Sequence, residues 1–394
     1  MKRHGDLFPS IATFDNLLNA ARRAQCSKRY RNDVLEFNYN LERNLIDLAE
    51  ALQAKTYIPG QYKTFIIYEP KRRLISAAPY RDRVVHHGLC NIIEPLFDRT
   101  FIHSSYANRR GKGTHKALDH FVRLTRQYCY CLRADVEKYF PSMDHAILKA
   151  TIQRTIKCRD TLWLIELILD NSNEQEPVGQ YFDGDELLTP CMRRHGLPIG
   201  NLTSQLWANV YLNDVDHVMA QTFGGRRYVR YVDDFALFSD DKSELIEACG
   251  RLHDLLAGIR LRLHPVKTEI TETKYGVNFL GFRVFPDRIR LRQENLQRAR
   301  KRMRGLARDY RRGKINWVDV KNSLQSWNAH AAYGDTWRLR EDVFDTLVFT
   351  RGWRRDGHSG CFVAGRGTTT ATTVGRRTAT TTTRTTRTTI WASA

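Results

Sequence analysis

Three carboxylates stand at the ends of apolar runs. A short strand from Tyr128 to Ala134 runs into Asp135, and Asp233-Asp234 sit between Tyr228-Val229-Arg230-Tyr231-Val232 and Phe235-Ala236-Leu237-Phe238. A sheet that gathers these segments brings three negative charges together from distant sequence, which is costly without a cation. Two Mg²⁺ ions would offset the repulsion, since hard divalent ions prefer carboxylate and phosphate oxygens, and Mn²⁺ can substitute. The chemistry open to such ions is phosphoryl transfer, one activating a 3′-hydroxyl while the other holds a triphosphate. An Asp-Asp dipeptide is also an ordinary turn. Its setting between two apolar strands, with Asp135 ending a third, weighs against that reading.

The elements that must position these residues follow from periodicity. Apolar residues recur at spacings of three and four over 9–55, which predicts an N-terminal helical cap. Thr64 to Tyr68, a Glu69-Pro70-Lys71-Arg72-Arg73 turn and Leu74-Ile75 read as a basic hairpin. Helices are predicted over 81–97, 144–170, 203–219 and 243–257, with a loop rich in Arg and Gly at Ser105–Thr114. The two strands flanking Asp233-Asp234 form a β-hairpin signature. A strand near 268–271 and a second hairpin at 278–292 complete a βαββαβ-like order, similar to a ferredoxin-type layer, and 294–347 is basic and helical.

The chain has 394 residues, with 63 Lys and Arg against 43 Asp and Glu, a net charge of +20 that points to a polyanionic partner. Eight cysteines show no zinc-ligand spacing, and neither an apolar run of spanning length nor a secretory leader is visible. A cytoplasmic protein without disulfides and with no membrane partner is expected. Residues 368–394 hold 14 Thr among 27 positions with no helical or strand period, so no fold is expected there.

With these motifs in place, the sequence resembles the reverse transcriptases. Tyr231-Val232-Asp233-Asp234 matches their YxDD box, and Ala134-Asp135-Val136-Glu137-Lys138-Tyr139-Phe140-Pro141-Ser142 matches the strand with their first metal-binding aspartate. The resemblance covers about residues 55–290 and includes Leu280-Gly281-Phe282 as the primer-grip hairpin. It implies an α+β right-hand polymerase fold with fingers, ferredoxin-like palm and helical thumb. The expected division is an N-terminal helical segment at 1–56, fingers at 57–130, palm at 131–290 with part of the fingers at about 144–195, thumb at 291–350 and a disordered tail at 351–394.

Within the family, Ile199-Gly200-Asn201-Leu202-Thr203-Ser204-Gln205 departs from the usual pattern, having Ile199 where most members have glutamine and Gln205 where they have proline. This variant is similar to the enzymes of diversity-generating retroelements, as are Tyr80 to His87 and Ser105 to His115. The resemblance implies a metal set of Asp135, Val136, Asp233 and Asp234 and a general acid at Lys267. It implies a nucleotide site of Arg72, Phe140, Ile199, Gly200 and Gln205, with Leu280 and Gly281 on the primer. Phe140 would exclude a 2′-hydroxyl, although a core aromatic would also suit its place; Arg72 would grip the triphosphate, although a solvated basic turn would also carry it.

Arg109, Arg110 and Lys112 are candidates for template phosphates, against the alternative of a solvated face. His86, His87 and His195 lack ligand partners and read as structural. The expected partners are an RNA template, a DNA or RNA primer, deoxynucleoside triphosphates and, by family, a basic accessory variability protein. The reading reached is an RNA-directed DNA polymerase copying a template-repeat RNA, error-prone at adenines. A group II intron or retron enzyme is the alternative of the same chemistry, and a non-catalytic RNA-binding protein on the same scaffold is the alternative of another class.

Overall fold

The computed structural model describes residues 3–350 except 69–71, 174 and 177, together with the backbone of 358–365, 368–375 and 386–388. The chain divides into two compact units, residues 1–124 with 128–271, and 125–127 with 272–394.

In the first unit the N-terminal helical period is cut into α1 (Phe8–Ile11), α2 (Phe14–Ala24), α3 (Asn32–Tyr39) and α4 (Leu41–Gln53). Thr13 makes one of the cuts, because its hydroxyl accepts the Asn16 amide and so starts a new helix. Strands β1 (Lys63–Ile67) and β2 (Arg73–Ala77) pair antiparallel, and the turn expected between them falls mostly on residues outside those described. Helix α5 (Tyr80–Asp98) is the central support of this unit, burying Val84, Val85, Leu89 and Ile93. Its buried Asp82 accepts from the Tyr57 hydroxyl at 2.8 Å and the Gly60 amide at 2.7 Å, fixing the segment that leads into the hairpin. Helix α6 (Thr114–Gln127) follows.

The carboxylate-bearing sheet is built from β3 (Tyr130–Asp135), β4 (Tyr228–Tyr231), β5 (Asp234–Ser239) and β6 (Glu269–Glu272). Its order is β4-β5-β3-β6, that of a βαββαβ layer. Among the described residues the first crossover holds six helices: α7 (Tyr139–Ser142), α8 (His145–Gln153), α9 (Arg159–Asp170), α10 (Thr189–Met192), α11 (Leu202–Tyr211) and α12 (Asn213–Phe223). The second holds one, α13 (Lys242–Gly258). The periods expected to give single helices at 144–170 and 203–219 are thus each split in two.

The second unit begins earlier than the helices expected from 291. Strands β7 (Val277–Phe279), β8 (Phe282–Val284) and β9 (Ile289–Leu291) form a sheet of their own rather than extending the carboxylate sheet. The reason is a short helical turn at Thr273–Tyr275 followed by Gly276 at φ +80°, where a Cβ would lie 2.6 Å from the Phe285 ring. Then come α14 (Gln293–Arg311), α15 (Trp317–Ala331), α16 (Trp337–Asp345) and β10 (Leu347–Thr350), packed around Met303, Tyr310, Val320, Leu324 and Phe349. Asn316 and Asp319 form a capping box that starts α15 at Trp317.

The tail, expected to lack structure, has its described backbone in β11 (His358–Gly365), β12 (Thr368–Gly375) and β13 (Thr386–Thr388), antiparallel in the order β10-β11-β12-β13. Threonine is β-branched and favours extended backbone even where no apolar alternation marks a strand. The rest of the tail lies outside the described residues. Among the described residues no helix is long and apolar enough to cross a membrane.

Candidate active site

Antiparallel pairing of β3 with β5 sets Asp135 directly opposite Asp234. On the other side Tyr231 of β4 pairs with Asp234, leaving Val232-Asp233 as a two-residue turn. Such a turn needs a positive φ at its first residue to follow the twist of its strands, and Val232 supplies it at +58° despite being β-branched. Two bonds hold this unfavourable conformation: the Val136 amide donates to the Asp233 carbonyl at 3.3 Å, and Arg230 Nη1 donates to the Val232 carbonyl at 2.9 Å. The three carboxylates gathered from the sequence are therefore neighbours at one end of the sheet.

Their electrostatic settings differ. Asp135 accepts from the Lys267 ammonium, and its backbone carbonyl accepts the His264 amide at 2.7 Å, so the loop after α13 is tied to the end of β3. Asp234 accepts from Arg133 Nη2 at 3.2 Å. Asp233 has no hydrogen-bonded or ion-paired side-chain partner among the described residues. Burial, and then the charges of Asp135 and Asp234, push its carboxyl up to about 7. Burial also raises Asp234, against the pull of Arg133.

As the side chains stand, Lys267 and Arg133 neutralise two of the three, and among the described residues no group of three or more His, Cys, Asp or Glu forms a ready metal cage. The donor set nevertheless suits a hard divalent cation: carboxylate oxygens alone, mutually repelling, one of them without an ion pair of its own among the described residues. Val136 has a buried apolar side chain, so only its backbone carbonyl is available to an ion.

The strand that carries Asp135 leads to the other expected contacts. Phe140, on α7, is half-buried and meets Tyr139 edge to face at 5.6 Å. Its carbonyl accepts the Leu197 amide at 2.8 Å, and the Ile199 carbonyl accepts the Ser76 amide at 3.0 Å. The 196–205 segment is thus stitched to the exit of β3 on one side and to β2 on the other. Gly200, at φ +120°, passes Ile75 so closely that a Cβ would lie 3.3 Å from its methyl. Gln205 is exposed in the first turn of α11, and Arg72 is exposed just ahead of β2.

One residue of the expected set is already engaged within its own loop. Arg109 is not free for a template phosphate: its guanidinium donates to the Asp98 carboxylate at 2.6 Å and to the carbonyls of Ile102, Ser105 and Asp98. It locks its own loop, a use that a short basic run does not advertise. Arg110 remains exposed with Glu94 at 4.0 Å, and Lys112 donates to the His103 carbonyl at 2.8 Å. Leu280 and Gly281 make the two-residue turn between β7 and β8, at φ +44° and +91°, in the second unit.

The structure also shows residues that sequence reasoning missed. Arg133 faces Asp234, and the fully buried Arg230 and Asp216 support the turn from behind. An arginine two positions ahead of Asp135 on an alternating strand shares its face, a signal that was available. The histidines expected to be structural make backbone contacts or none: His195 Nδ1 lies 2.8 Å from the Pro141 carbonyl, and the Nδ1 atoms of His86 and His87 are buried without a hydrogen bond.

The family model described as reverse transcriptase (RNA-dependent DNA polymerase) matches residues 65–284. The chain belongs to the reverse transcriptase family. With the family comes the enzyme class, RNA-directed DNA polymerase, its use of divalent metal ions, and a template, primer and deoxynucleotides as reactants. The matched span holds the carboxylate sheet, the 196–205 segment and the β7–β8 turn.

Among relatives, Protein YkfC of Escherichia coli (strain K12) is 25% identical over 267 residues, 57% of this chain and 67% of that protein. Nuclear intron maturase 1, mitochondrial, of Arabidopsis thaliana is 29% identical over 106 residues, 26% of this chain and 15% of that protein. Group II intron-encoded protein LtrA of Lactococcus lactis subsp. cremoris is 23% identical over 183 residues, 46% of this chain and 29% of that protein. The reverse transcriptase thus spans about two thirds of the first and under a third of the other two.

Proposed function

We propose that this reverse transcriptase copies a template-repeat RNA into cDNA for a diversity-generating retroelement, with Asp135, Asp233, Asp234 and the Val136 carbonyl as its metal ligands. The observation that carries the catalytic part is the register of Asp135 against Asp234, with Asp233 in the turn beside them. When bound, the divalent ions supply activation of the 3′-hydroxyl and neutralisation of the triphosphate. The chain's own residues orient the reactants: Phe140 lies under the incoming sugar, Arg72 meets the phosphates, and Lys267 holds its protons beside Asp135 for the departing pyrophosphate. Arg110 and Lys112 remain the template candidates of the 105–114 loop, and Leu280-Gly281 contacts the primer.

The retroelement class rests on Ile199 to Gln205, a segment bonded to the hairpin strand β2. That reading brings a small basic accessory protein that helps hold the template RNA. A group II intron role is the second reading, supported by the likeness to a nuclear intron maturase and a group II intron-encoded protein.

Primer extension on poly(rA)·oligo(dT) with Mg²⁺ tests the catalytic assignment. Wild type should extend and Asp233→Asn should lose activity by orders of magnitude while remaining folded, because a neutral amide is a far weaker ligand. Near-normal extension by Asp233→Asn overturns the metal assignment, and no extension by wild type leaves the non-catalytic RNA-binding reading. Error spectra separate the two retroelement classes: errors concentrated at template adenines support the first, a flat spectrum the second.

A further inference from the structure

Away from the aspartates, along the outer edge of β4, a cleft of about 280 Å³ opens between the 103–113 loop and α6. Its floor is fixed. The Tyr106 amide donates to the Arg230 carbonyl at 3.0 Å, and His120 Nε2 lies 3.1 Å from the Arg226 carbonyl, which can only accept. His120 therefore carries its proton on Nε2, and Nδ1 accepts from the Tyr106 hydroxyl at 3.0 Å. The floor is a neutral imidazole and a phenol, both buried.

The walls are cationic. Lys112 donates to a carbonyl rather than a carboxylate, with its ammonium 5.2 Å from the Tyr106 ring, while Lys116 and Arg123 are exposed and without a hydrogen-bonded or ion-paired partner among the described residues. Asp119 is the one acid of the lining. The charge imbalance is felt by His103 at the rim, which Lys112 foremost, then desolvation, Arg109, Arg123 and Lys116 hold below its ordinary value.

We propose that this cleft is a second anion site, separate from the carboxylate centre, that holds a backbone phosphate of a single-stranded RNA against Lys112, Lys116 and Arg123. Three cationic side chains facing one carboxylate, with the exposed His103 ring at the rim, are the composition of a strand-tracking groove. The proposal rests on the strand-copying reading only for the identity of the strand.

The test is binding of fluorescein-labelled oligouridylate, followed by anisotropy from 50 to 300 mM salt without metal or nucleotides. It uses the full chain in the Asp233→Asn background, so that it is independent of whether copying occurs. Lys116→Gln with Arg123→Gln should weaken binding about tenfold at 0.1 M salt and lower the salt slope by about 0.7, the contribution of one phosphate contact on a single strand. Both side chains are exposed, so the melting midpoint should not move, and the single variants give the same test if the pair disturbs folding. Unchanged affinity and slope overturn the site. Pyrophosphate shifting the His103 ring resonance while oligouridylate leaves it unmoved overturns the strand as its source and assigns the cleft to a free polyphosphate.

Discussion

Arg230 and Asp216, both fully buried, share three hydrogen bonds of 2.6 to 2.8 Å, joining the edge strand β4 to α12 beneath the Val232-Asp233 turn. The Tyr228 hydroxyl donates to the same carboxylate at 2.7 Å, and the remaining Arg230 nitrogen reaches Asn209 Oδ1 and the Val232 carbonyl. One ion pair thus completes its own hydrogen bonding and holds a β-branched residue in a left-handed conformation next to the catalytic candidates.

Breaking that pair should cost about 3–5 kcal/mol, because a buried charge is left uncompensated. Asp216→Asn is expected to lower the melting midpoint markedly. An apolar pair, Arg230→Met with Asp216→Leu, should recover most of the stability while extension stays about tenfold down, since the Val232 carbonyl has lost its donor. Melting curves alongside steady-state extension would check this, and full activity in the apolar pair would remove the turn-positioning role.

Acid sensitivity follows from α5. Burial foremost, then His87 and Arg83, push His86 down to about 3; burial, then Arg23, Lys28 and Arg83, push His87 down to about 4. Both imidazoles stay neutral in the fold where the unfolded chain binds a proton. Their contribution is complete above about pH 6.5 and declines as pH falls toward 4 and 3. The melting midpoint should drop over that window, less steeply in His87→Gln than in wild type. Parallel curves for the two proteins would show that these histidines do not set the acid limb.

Phe140 offers a third measurement. Its ring packs edge to face on the buried Tyr139, so truncation should leave α7 in place while opening space on the exposed side. Phe140→Ala is expected to raise ribonucleotide incorporation relative to deoxyribonucleotide severalfold. A ratio equal to that of wild type would leave Phe140 as a packing residue.

Legibility followed distance along the chain. The apolar strands around Asp233-Asp234 and the end of β3 were readable because alternation and a two-residue turn are local signals, and their register then follows from pairing. The Arg230–Asp216 pair left no such trace, since it spans fourteen residues and two element types. The role of Arg109 is hidden for a related reason: a basic loop residue looks solvated until the carbonyls that surround it are known. The separate sheet of β7 to β9 is not legible in sequence because strand period says nothing about which sheet a strand joins.

On the proposed retroelement reading, Ile199 takes the place of a glutamine, and its backbone is held by the neighbouring strand β2. Its carbonyl accepts the Ser76 amide at 3.0 Å, and Gly200 beside it holds φ at +120° against β2, so a change of side chain need not move the segment. An isoleucine offers no donor or acceptor near an incoming nucleotide. A polar contact worth about 1 kcal/mol, present for a correct pair and strained for a wrong one, changes selectivity severalfold. Ile199→Gln is therefore expected to lower misincorporation severalfold, and more opposite template adenine than elsewhere if the enzyme serves a diversity-generating retroelement. Extension rates should stay within a fewfold, because neither the carboxylates nor the backbone bonds of the segment are touched. Deep sequencing of cDNA made by the two proteins from one RNA decides the matter: an identical error spectrum would take Ile199 out of the control of accuracy.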